Sequence, residues 1–567
     1  MHIERVPNRG RPPTILLRQS YREGDRVRKR TLSNLTHLPP EAIAMLRLYL
    51  KGVTLVPHEQ ALAIERSRPH GHVKAVLGTI RKLGLDKIID PRPSRQRDLV
   101  LAMVAERLLH GGSKLARTRR WHTSTLAQEL DVETADVDDL YEAMDWLLER
   151  QPRIEKRLAA RHLQEDGLVM YDVTSSYYEG RTCPLARFGH SRDGKKGRPI
   201  IVYGMLTDGA GRPVAVEVYP GNTADPVTVP DQVEKLRQRF GINRVVLVGD
   251  RGMLTDTQID KLRDYPQLGW ISALRSSAIR TLVGNGDLQL SLFDQQNLAE
   301  ITSPEFPGER LVACFNPLLA EERARKRQEL LAATEEEFEA IARQVARRTR
   351  TPLRRDEIAL RVGKVIGRYK MAKHFKLQIE DGRFRWERDD QSIAQEAHLD
   401  GIYVIRTSEP GARLSADDTV RSYKGLGQVE QGFRCLKGVD LRVRPIHHRQ
   451  DPRVRAHVLL CMLAYYVEWH MRQALGSVLF DDEELATQRW TRDPVAKARP
   501  SASARRKKRT RRTAEGLVVH SFDSLLAELG TLCRNRCRIT ADPSGTTFQQ
   551  DTQPTELQAR VLELLGL

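Results

Sequence analysis

The chain has 567 residues, a formal net charge of +19 and a sequence pI near 9.7. Its length predicts several domains, and its charge favours a polyanionic partner, nucleic acid first and an anionic membrane surface second. The sequence lacks a bilayer-spanning apolar window and a signal-peptide core, and six scattered Cys exclude a disulfide framework, so we expect a cytoplasmic protein.

The first 60 residues are predicted to form a basic hairpin followed by a short helix. Residues 14–21 and 26–31 alternate in the manner of strands around Glu-Gly-Asp, and residues 41–50 have a helical pattern. A solvated edge ribbon and a DNA contact are equally consistent with this hairpin. Its cations are Arg18, Arg22, Arg26, Arg28, Lys29 and Arg30.

Residues 61–164 are predicted to be helical, with Ser94 capping the first strong helix. Two apolar stripes flank the basic segment 113–121, which ends in an aromatic residue. A helix, a basic turn and a second helix can bind DNA, whereas Leu and Met stripes more often form plain core, so both interpretations stay open. The stripes consist of Leu99, Met103 and Leu108, and of Val137, Leu140, Met144 and Leu147.

From about residue 165 the pattern changes to that of an α/β domain. Three consecutive strands, a helix and a further strand give the element order of the ribonuclease-H-like fold. The predicted strands are 168–175, 199–207, 213–219, 244–250 and 268–274, and the predicted helices are 228–240 and 255–264.

Two of these strands carry a carboxylate near their end. Asp172 follows the apolar run 168–171, and Asp250 follows the β-branched run 245–248 and a glycine. A single Asp in such a position is usually a turn former or a helix cap. Each acid alone is therefore weak evidence for catalysis.

A third acid, Glu430, lies on a predicted helix that follows Gly427. Val429, Phe433 and Leu436 have the spacing of a core face, while Glu430, Arg434 and Lys437 share another face. A solvated ion pair between Glu430 and Arg434 is the ordinary alternative. Three carboxylates on two strands and a helix suit two hard divalent cations, which activate a water or 3′-hydroxyl and neutralise the leaving oxygen of a phosphodiester.

The segment around Glu430 carries a family resemblance. In the DDE transposases of bacterial insertion sequences, a large group has its last acid in the pattern Tyr, two residues, Arg, three residues, Glu, six residues, Lys. The chain resembles this group at Tyr423, Glu430 and Lys437, but Leu426 stands at the Arg position. Lys424 or Arg434 would have to replace the phosphate contact of that Arg.

The long-bodied branch of this group, with a Tyr-Asp-Val-Thr motif at the first acid, fits best. Asp172 lies in such a motif, and further matches are Gly221-Asn222-Thr-Ala-Asp225, Asp250-Arg251-Gly252 and Arg444-Pro-Ile-His447-His. Arg444 and His447 belong to a basic loop whose side chains we expect to contact phosphate. The likeness extends from about residue 165 to 475 and more weakly into the N-terminal region.

The resemblance implies a transposase that binds the ends of its insertion sequence and catalyses metal-dependent strand cleavage and transfer. Asp172, Asp250 and Glu430 would hold two Mg²⁺ ions, with Mn²⁺ as a substitute, and Tyr423 and Lys437 would contact DNA near the cleaved end. The partners would be double-stranded terminal repeats and target DNA, bound by a homodimer. A domesticated, non-catalytic DNA-binding protein and a host nuclease of the same fold are the alternatives.

The 180 residues between Asp250 and Glu430 require an insertion. We predict two long helices and a β-hairpin there, which the resemblance implies cover the active site and touch the transposon end; a surface appendage is the alternative. Residues 491–515 are rich in Ala, Ser, Pro, Arg and Lys and are predicted to be disordered. The expected divisions are 1–60, 61–164, 165–280 (first segment of the ribonuclease-H-like core), 281–415 (insertion), 416–480 (second segment of the core) and 481–567 (basic tail and small helical segment).

Overall fold

The computed structural model describes residues 1–53, 61–265, 267–294, 296–438, 440–540 and 545–567. The strands are β1 His2–Asn8, β2 Arg11–Glu23, β3 Arg26–Asn34, β4 Leu62–Pro69, β5 Gly167–Tyr177, β6 Ile200–Asp208, β7 Pro213–Pro220, β8 Val245–Val248, β9 Leu268–Ala273, β10 Leu298–Ile301, β11 Arg310–Phe315, β12 Phe375–Glu380, β13 Arg383–Arg388, β14 Ile402–Thr407, β15 Cys533–Ile539 and β16 Thr547–Asp551.

The helices connect and cover these strands. They are α1 Pro40–Leu50, α2 Gly71–Lys82, α3 Leu85–Ile89, α4 Arg95–Leu109, α5 Lys114–Thr118, α6 Leu126–Glu129, α7 Val137–His162, α8 Val229–Glu234, α9 Asp256–Arg263, α10 Ser276–Gly284, α11 Pro317–Arg347, α12 Arg355–Tyr369, α13 Asp390–Ala397, α14 Ala416–Lys424, α15 Leu426–Lys437, α16 Asp451–Leu475, α17 Leu485–Gln488, α18 Ala502–Thr510, α19 Phe522–Gly530 and α20 Glu556–Leu565. None of the helices in the described ranges is both long and apolar enough to cross a membrane.

A mixed eight-stranded sheet in the order β10-β11-β14-β9-β8-β5-β6-β7 forms the centre of the described chain. Strands β5, β6 and β7 are antiparallel neighbours, and β5, β8 and β9 run parallel. Apolar, β-branched runs form these strands because both faces of the sheet are covered by helices. The α/β class and the predicted strand order are confirmed: three antiparallel strands precede a helix and the parallel strand β8.

The insertion begins inside this sheet. Strands β10, β11 and β14 continue it beyond β9 in antiparallel order, and none of the three was predicted from the sequence. The long helices α11 and α12 and the hairpin β12–β13 were predicted and are present. They share a separate apolar core in which Phe338 lies 5.3 Å from Phe375 and 5.6 Å from Phe384, ring centre to ring centre.

The helical segment before the sheet packs against it. Helix α7 contacts α4, α16 and β7, and Leu99, Met103, Leu140, Met144 and Leu147 are all buried in one core with the sheet. The core interpretation of the two stripes is thus confirmed except at Val137, which is only partly buried. In the basic segment between them, the Trp121 indole is buried and donates to the Ala135 carbonyl at 2.9 Å.

The N-terminal hairpin is present as β2–β3, and β1, which was not predicted, pairs with the base of β2. The pairing of β1 ends at His2–Arg18, so beyond Arg18 only β2 and β3 remain. Helix α1 follows where residues 41–50 predicted it.

The prediction of disorder over 491–515 is wrong, because helix α18 forms within it. Ser501 caps α18 by accepting from Ala504 N–H, and the Lys507 side chain is buried. Its ammonium donates to the Gly476 carbonyl at 2.6 Å and the Asp481 carbonyl at 2.7 Å and pairs with Glu483. The basic composition predicted that this segment would be exposed to solvent. The three acceptors instead allow the Lys507 ammonium to be buried. Strands β15 and β16 were also missed; β15 pairs with β4 on one side and with β16 on the other.

Candidate active site

The strand register places the first two acids at the same level. In the parallel pair β5–β8, Met170 lies opposite Val248, and Asp172 and Asp250 each follow two residues later. In neighbouring parallel strands, two residues that follow a paired position by the same number of residues lie next to each other. The apolar strands therefore bring two carboxylates, 78 positions apart in the sequence, to one edge of the core.

Both aspartates also organise their own backbone. Asp172 Oδ1 accepts from Val173 N–H at 2.7 Å, and Asp250 Oδ1 accepts from Gly252 N–H at 3.0 Å and Met253 N–H at 2.7 Å. Asp250 is thus a turn former, as the ordinary interpretation of a strand-end Asp predicted. Its Oδ2 accepts no hydrogen bond within the described ranges, which leaves that oxygen available to a ligand.

Helix α15 positions the third acid. It begins at Leu426, one residue before the predicted glycine, and buries Val429, Phe433 and Leu436 as predicted. Gly425, between α14 and α15, lies so close to the Met170 side chain that any Cβ there would collide with it. The start of α15 therefore packs closely against β5, near Asp172.

Glu430 lies on the exposed face of α15 together with Arg434. Neither an ion pair between these two residues nor any hydrogen bond of the Glu430 carboxylate is formed within the described part of the chain. The solvated-pair alternative from the sequence is therefore not realised. The Glu430 carboxylate has both oxygens free of protein donors.

The electrostatics show that the three acids are neighbours. The pKa of Asp172 is raised to about 7, mainly by burial and also by the charges of Asp250 and Glu430, against the lowering effects of Val173 N–H and Arg192. Burial likewise raises the pKa of Tyr423 to about 12, with contributions from Asp250, Glu430 and Asp172. Strands β5 and β8 and the helices α14 and α15 thus bring Asp172, Asp250, Glu430 and Tyr423 near one another, although Asp172 lies in the middle of β5 and not near its end as predicted.

The carboxylates of this trio are spread apart rather than converging on one point. Within the described residues, the group of three potential ligands whose atoms all lie within 4.8 Å of one another is Cys435, Asp440 and Glu468, elsewhere in the core. Two-metal sites hold ions about 3.5–4 Å apart, so acids on opposite sides of the pair need not approach each other closely. Oxygen-only donors with unpartnered atoms fit hard divalent cations.

Lys437 and Arg444 meet at Asp193, a residue that was not predicted to belong to the site. The Asp193 carboxylate, 1% exposed, accepts from the Lys437 ammonium at 3.1 Å and from the Arg444 guanidinium. Its other oxygen accepts from Tyr177 N–H at 3.0 Å, at the end of β5. Asp193 thus ties the end of α15 and the basic loop to the strand that carries Asp172. A turn with two lysines was the only local signal at Asp193.

Arg192 is a second residue near the acids that was not predicted from the sequence. Its guanidinium pairs with Asp225, the last residue of the Gly-Asn-Thr-Ala-Asp motif. The backbone N–H of Arg192 donates to Ser175 Oγ at 3.1 Å. The positive charge of Arg192 lowers the pKa of Asp172. The motif therefore acts by holding a cation near the first acid.

Other predicted DNA contacts lie apart from the acids. The Lys424 ammonium donates to the carbonyls of Val495 at 3.0 Å and Ala496 at 3.4 Å, so the structure does not bring it to the trio. Leu426, at the position where an Arg was expected, is only 8% exposed and belongs to the core. His447 is exposed, with Nδ1 3.3 Å from the Glu179 carbonyl.

Comparison with known proteins agrees with the sequence resemblance. A family model described as "Transposase DDE domain" matches residues 168–467, and one described as "IS1634 family transposase, N-terminal domain" matches residues 3–57. No curated protein matches the chain. A cryo-EM structure of a piggyBac transposase synaptic complex with hairpin DNA is similar at 10% identity and a TM-score of 0.34, over 81% of this chain and 76% of that one, which is too weak to carry an argument. The first match covers more than half of the sequence, and the chain therefore belongs to the family of proteins with a transposase DDE domain.

Proposed function

We propose that this transposase binds the ends of its own insertion sequence, cleaves DNA strands there and joins them to target DNA, with Asp172, Asp250 and Glu430 as its catalytic acids. The observation that carries the proposal is the mutual proximity of these three carboxylates just beyond the parallel pairing of β5 with β8, where no cation of the protein pairs with them within the described ranges. We further propose that it acts as a homodimer on DNA in the bacterial cytoplasm.

The three acids would hold two Mg²⁺ ions, or Mn²⁺ in their place. Such ions, when bound, acidify a water or 3′-hydroxyl and neutralise the leaving 3′-oxygen. The remaining work falls to the chain itself. Tyr423 keeps its proton near neutral pH, because its pKa is raised to about 12, and so can donate a hydrogen bond to a phosphate oxygen beside the acids. Asp193 orients the cations of Lys437 and Arg444 for the same DNA strand.

A basic groove next to Asp250 supports a DNA path into the insertion. Its volume is about 350 Å³, and it lies between Arg251, which follows Asp250, and the insertion helices α10 and α11. Acids already pair with two of its cations, Arg327 and Lys373. Phosphates are the ligands that such a groove attracts. The cations without an acidic partner in the described chain are Arg251, Arg280, Arg323 and Lys326.

The decisive experiment measures cleavage of DNA that carries the ends of the element. Asp172→Asn, Asp250→Asn and Glu430→Gln should each abolish cleavage and leave binding to the ends largely intact, because an amide keeps the shape of the side chain and loses the cation ligand. Asp260→Asn on α9, where the carboxylate is 70% exposed, is the matched control and should cleave normally. Cleavage within tenfold of wild type by any of the three variants would refute the assignment.

The same assay separates the two alternatives. A domesticated DNA-binding protein would bind the ends and cut nothing, and the intact acids argue against it. A host nuclease would hydrolyse DNA without forming joined products. Strand-transfer products in a reaction with supercoiled target DNA would therefore exclude both.

A further inference from the structure

The distal half of the N-terminal hairpin is a two-stranded ribbon without a core. Beyond the last β1 pair, His2–Arg18, strands β2 and β3 pair only with each other, from Gln19–Arg30 to Glu23–Arg26. Every residue from 19 to 34 is exposed, so neither face of the ribbon packs against the rest of the described chain. An isolated two-stranded hairpin is marginally stable at best. The missing core points to a partner that covers the ribbon.

The ribbon is strongly basic. Residues 19–30 contain five cations and two acids, which leaves a net charge of +3. Arg28 pairs with Glu23 at 2.7 Å and Lys29 with Glu4 at 3.0 Å, both in exposed positions. The remaining cations, Arg22, Arg26 and Arg30, form no ion pair with any described residue. The charge of the ribbon therefore requires a polyanion rather than an apolar surface.

The register divides the side chains between two faces, because directly paired residues of an antiparallel ribbon project to the same side. One side, here called the reading face, combines three arginines with amide and phenol groups. The reading face consists of Gln19, Tyr21, Glu23, Arg26, Arg28 and Arg30. The opposite face consists of Ser20, Arg22, Val27 and Lys29.

We propose that the ribbon of residues 19–30 enters the major groove of the terminal repeat and that its reading face recognises the bases. This inference rests on the proposed binding of transposon ends. The major groove is about 12 Å wide and admits a two-stranded ribbon, and Arg and Gln form paired hydrogen bonds with guanine and adenine there. Five residues per strand at about 3.3 Å each span about 17 Å, which corresponds to about five base pairs.

The test compares binding to two duplexes: one selected from a randomised library by the wild-type chain, and a scrambled version of it. Both are measured with Ca²⁺ in place of Mg²⁺, so that cleavage does not contribute. Arg30→Gln should reduce the preference for the selected duplex by about 10- to 100-fold, the value of one paired contact with guanine. Methylation of guanine N7 should interfere with wild-type binding over about five consecutive base pairs.

Arg22→Gln is the matched control, because it removes the same charge from the opposite face of the same ribbon. It should weaken binding to both duplexes equally and reduce the slope of log affinity against log salt by about one. Equal behaviour of Arg22→Gln and Arg30→Gln would overturn base recognition by this face. So would a wild-type chain that enriches no sequence, or full sequence preference after residues 19–30 are replaced by a two-residue turn.

These outcomes are independent of catalysis. If the ribbon variants behave as expected while Asp172→Asn still cleaves, only the assignment of the catalytic acids fails. If Asp172→Asn is inactive while Arg30→Gln keeps full preference for the selected duplex, only the ribbon inference fails.

Discussion

Two clusters of acids within the described residues differ in what balances their charge. In one, Arg472 donates to Glu468 at 2.7 Å and approaches Asp440 within 3.5 Å and Asp481 within 3.1 Å. In the other, Asp172, Asp250 and Glu430 have no ion pair within the described chain. The tight cluster thus contains its own cation and is structural, whereas the open one lacks a cation and suits a metal. The missing counter-charge thus supports the proposed metal site together with the proximity of the three acids.

Removal of divalent cations should separate the clusters most strongly. With EDTA, we expect DNA cleavage to fall below detection, because the open cluster would lose the metal ions that we propose it holds. Mg²⁺ or Mn²⁺ should restore cleavage, and Ca²⁺ should support binding of the ends without cleavage. The folded state should survive EDTA, since the cation of the other cluster, Arg472, belongs to the chain itself. Far-ultraviolet circular dichroism measures this. Full cleavage in EDTA would show that the cluster of Asp172, Asp250 and Glu430 does not need a metal ion.

Loss of the internal cation should be the next largest effect. Arg472→Met leaves Glu468, which is 0% exposed, without its partner, and should lower the free energy of unfolding by about 3 kcal/mol in urea titrations. Arg560→Met, on the surface of α20, removes an equally charged side chain and should change stability by less than about 0.5 kcal/mol. Similar values for the two variants would show that the tight cluster does not depend on Arg472.

The pH dependence of stability should be the smallest effect. Burial raises the pKa of Glu468 to about 7, against the lowering influence of Arg472. The folded state therefore holds this proton more tightly than the unfolded chain, and the stabilisation is complete below the ordinary pKa of 4.5 and lost as pH rises towards 7. Between pH 5 and 8 the free energy of unfolding should decrease more in wild type than in Glu468→Gln. The exposed Glu563→Gln should match wild type, and identical slopes for all three would contradict the shift.

The sequence predicted the central strands and the helix of Glu430 because their patterns are local. Apolar runs before Asp172 and Asp250 define strands by themselves, and Val429, Phe433 and Leu436 define one face of a helix. Asp193 and Arg192 could not be found in this way. Their partners, Lys437, Arg444 and Asp225, lie between 33 and 251 positions away, and nothing in the spacing links them.

The errors have the same origin. Strands β10, β11 and β14 were missed although β11 and β14 contain apolar runs, because only their pairing in the order β9-β14-β11-β10 shows that they extend the central sheet. Residues 491–515 have the composition of a disordered tail, but Lys507 finds three acceptors from a different region of the chain. The composition of a segment indicates how it behaves in isolation. The structure of these segments depends on contacts with distant parts of the chain, which composition does not show.

The continuation of the central sheet into the insertion has a structural consequence. Strands β10, β11 and β14 attach the insertion to the central sheet by backbone hydrogen bonds. Helices α11 and α12 and the hairpin β12–β13 form a separate part, here called the head, with a core of its own. Adding one turn to α11 would displace this head by about 5.4 Å and leave the strands beneath the acids untouched. A change in the length or surface of the head would therefore leave the strands that carry Asp172 and Asp250 as they are.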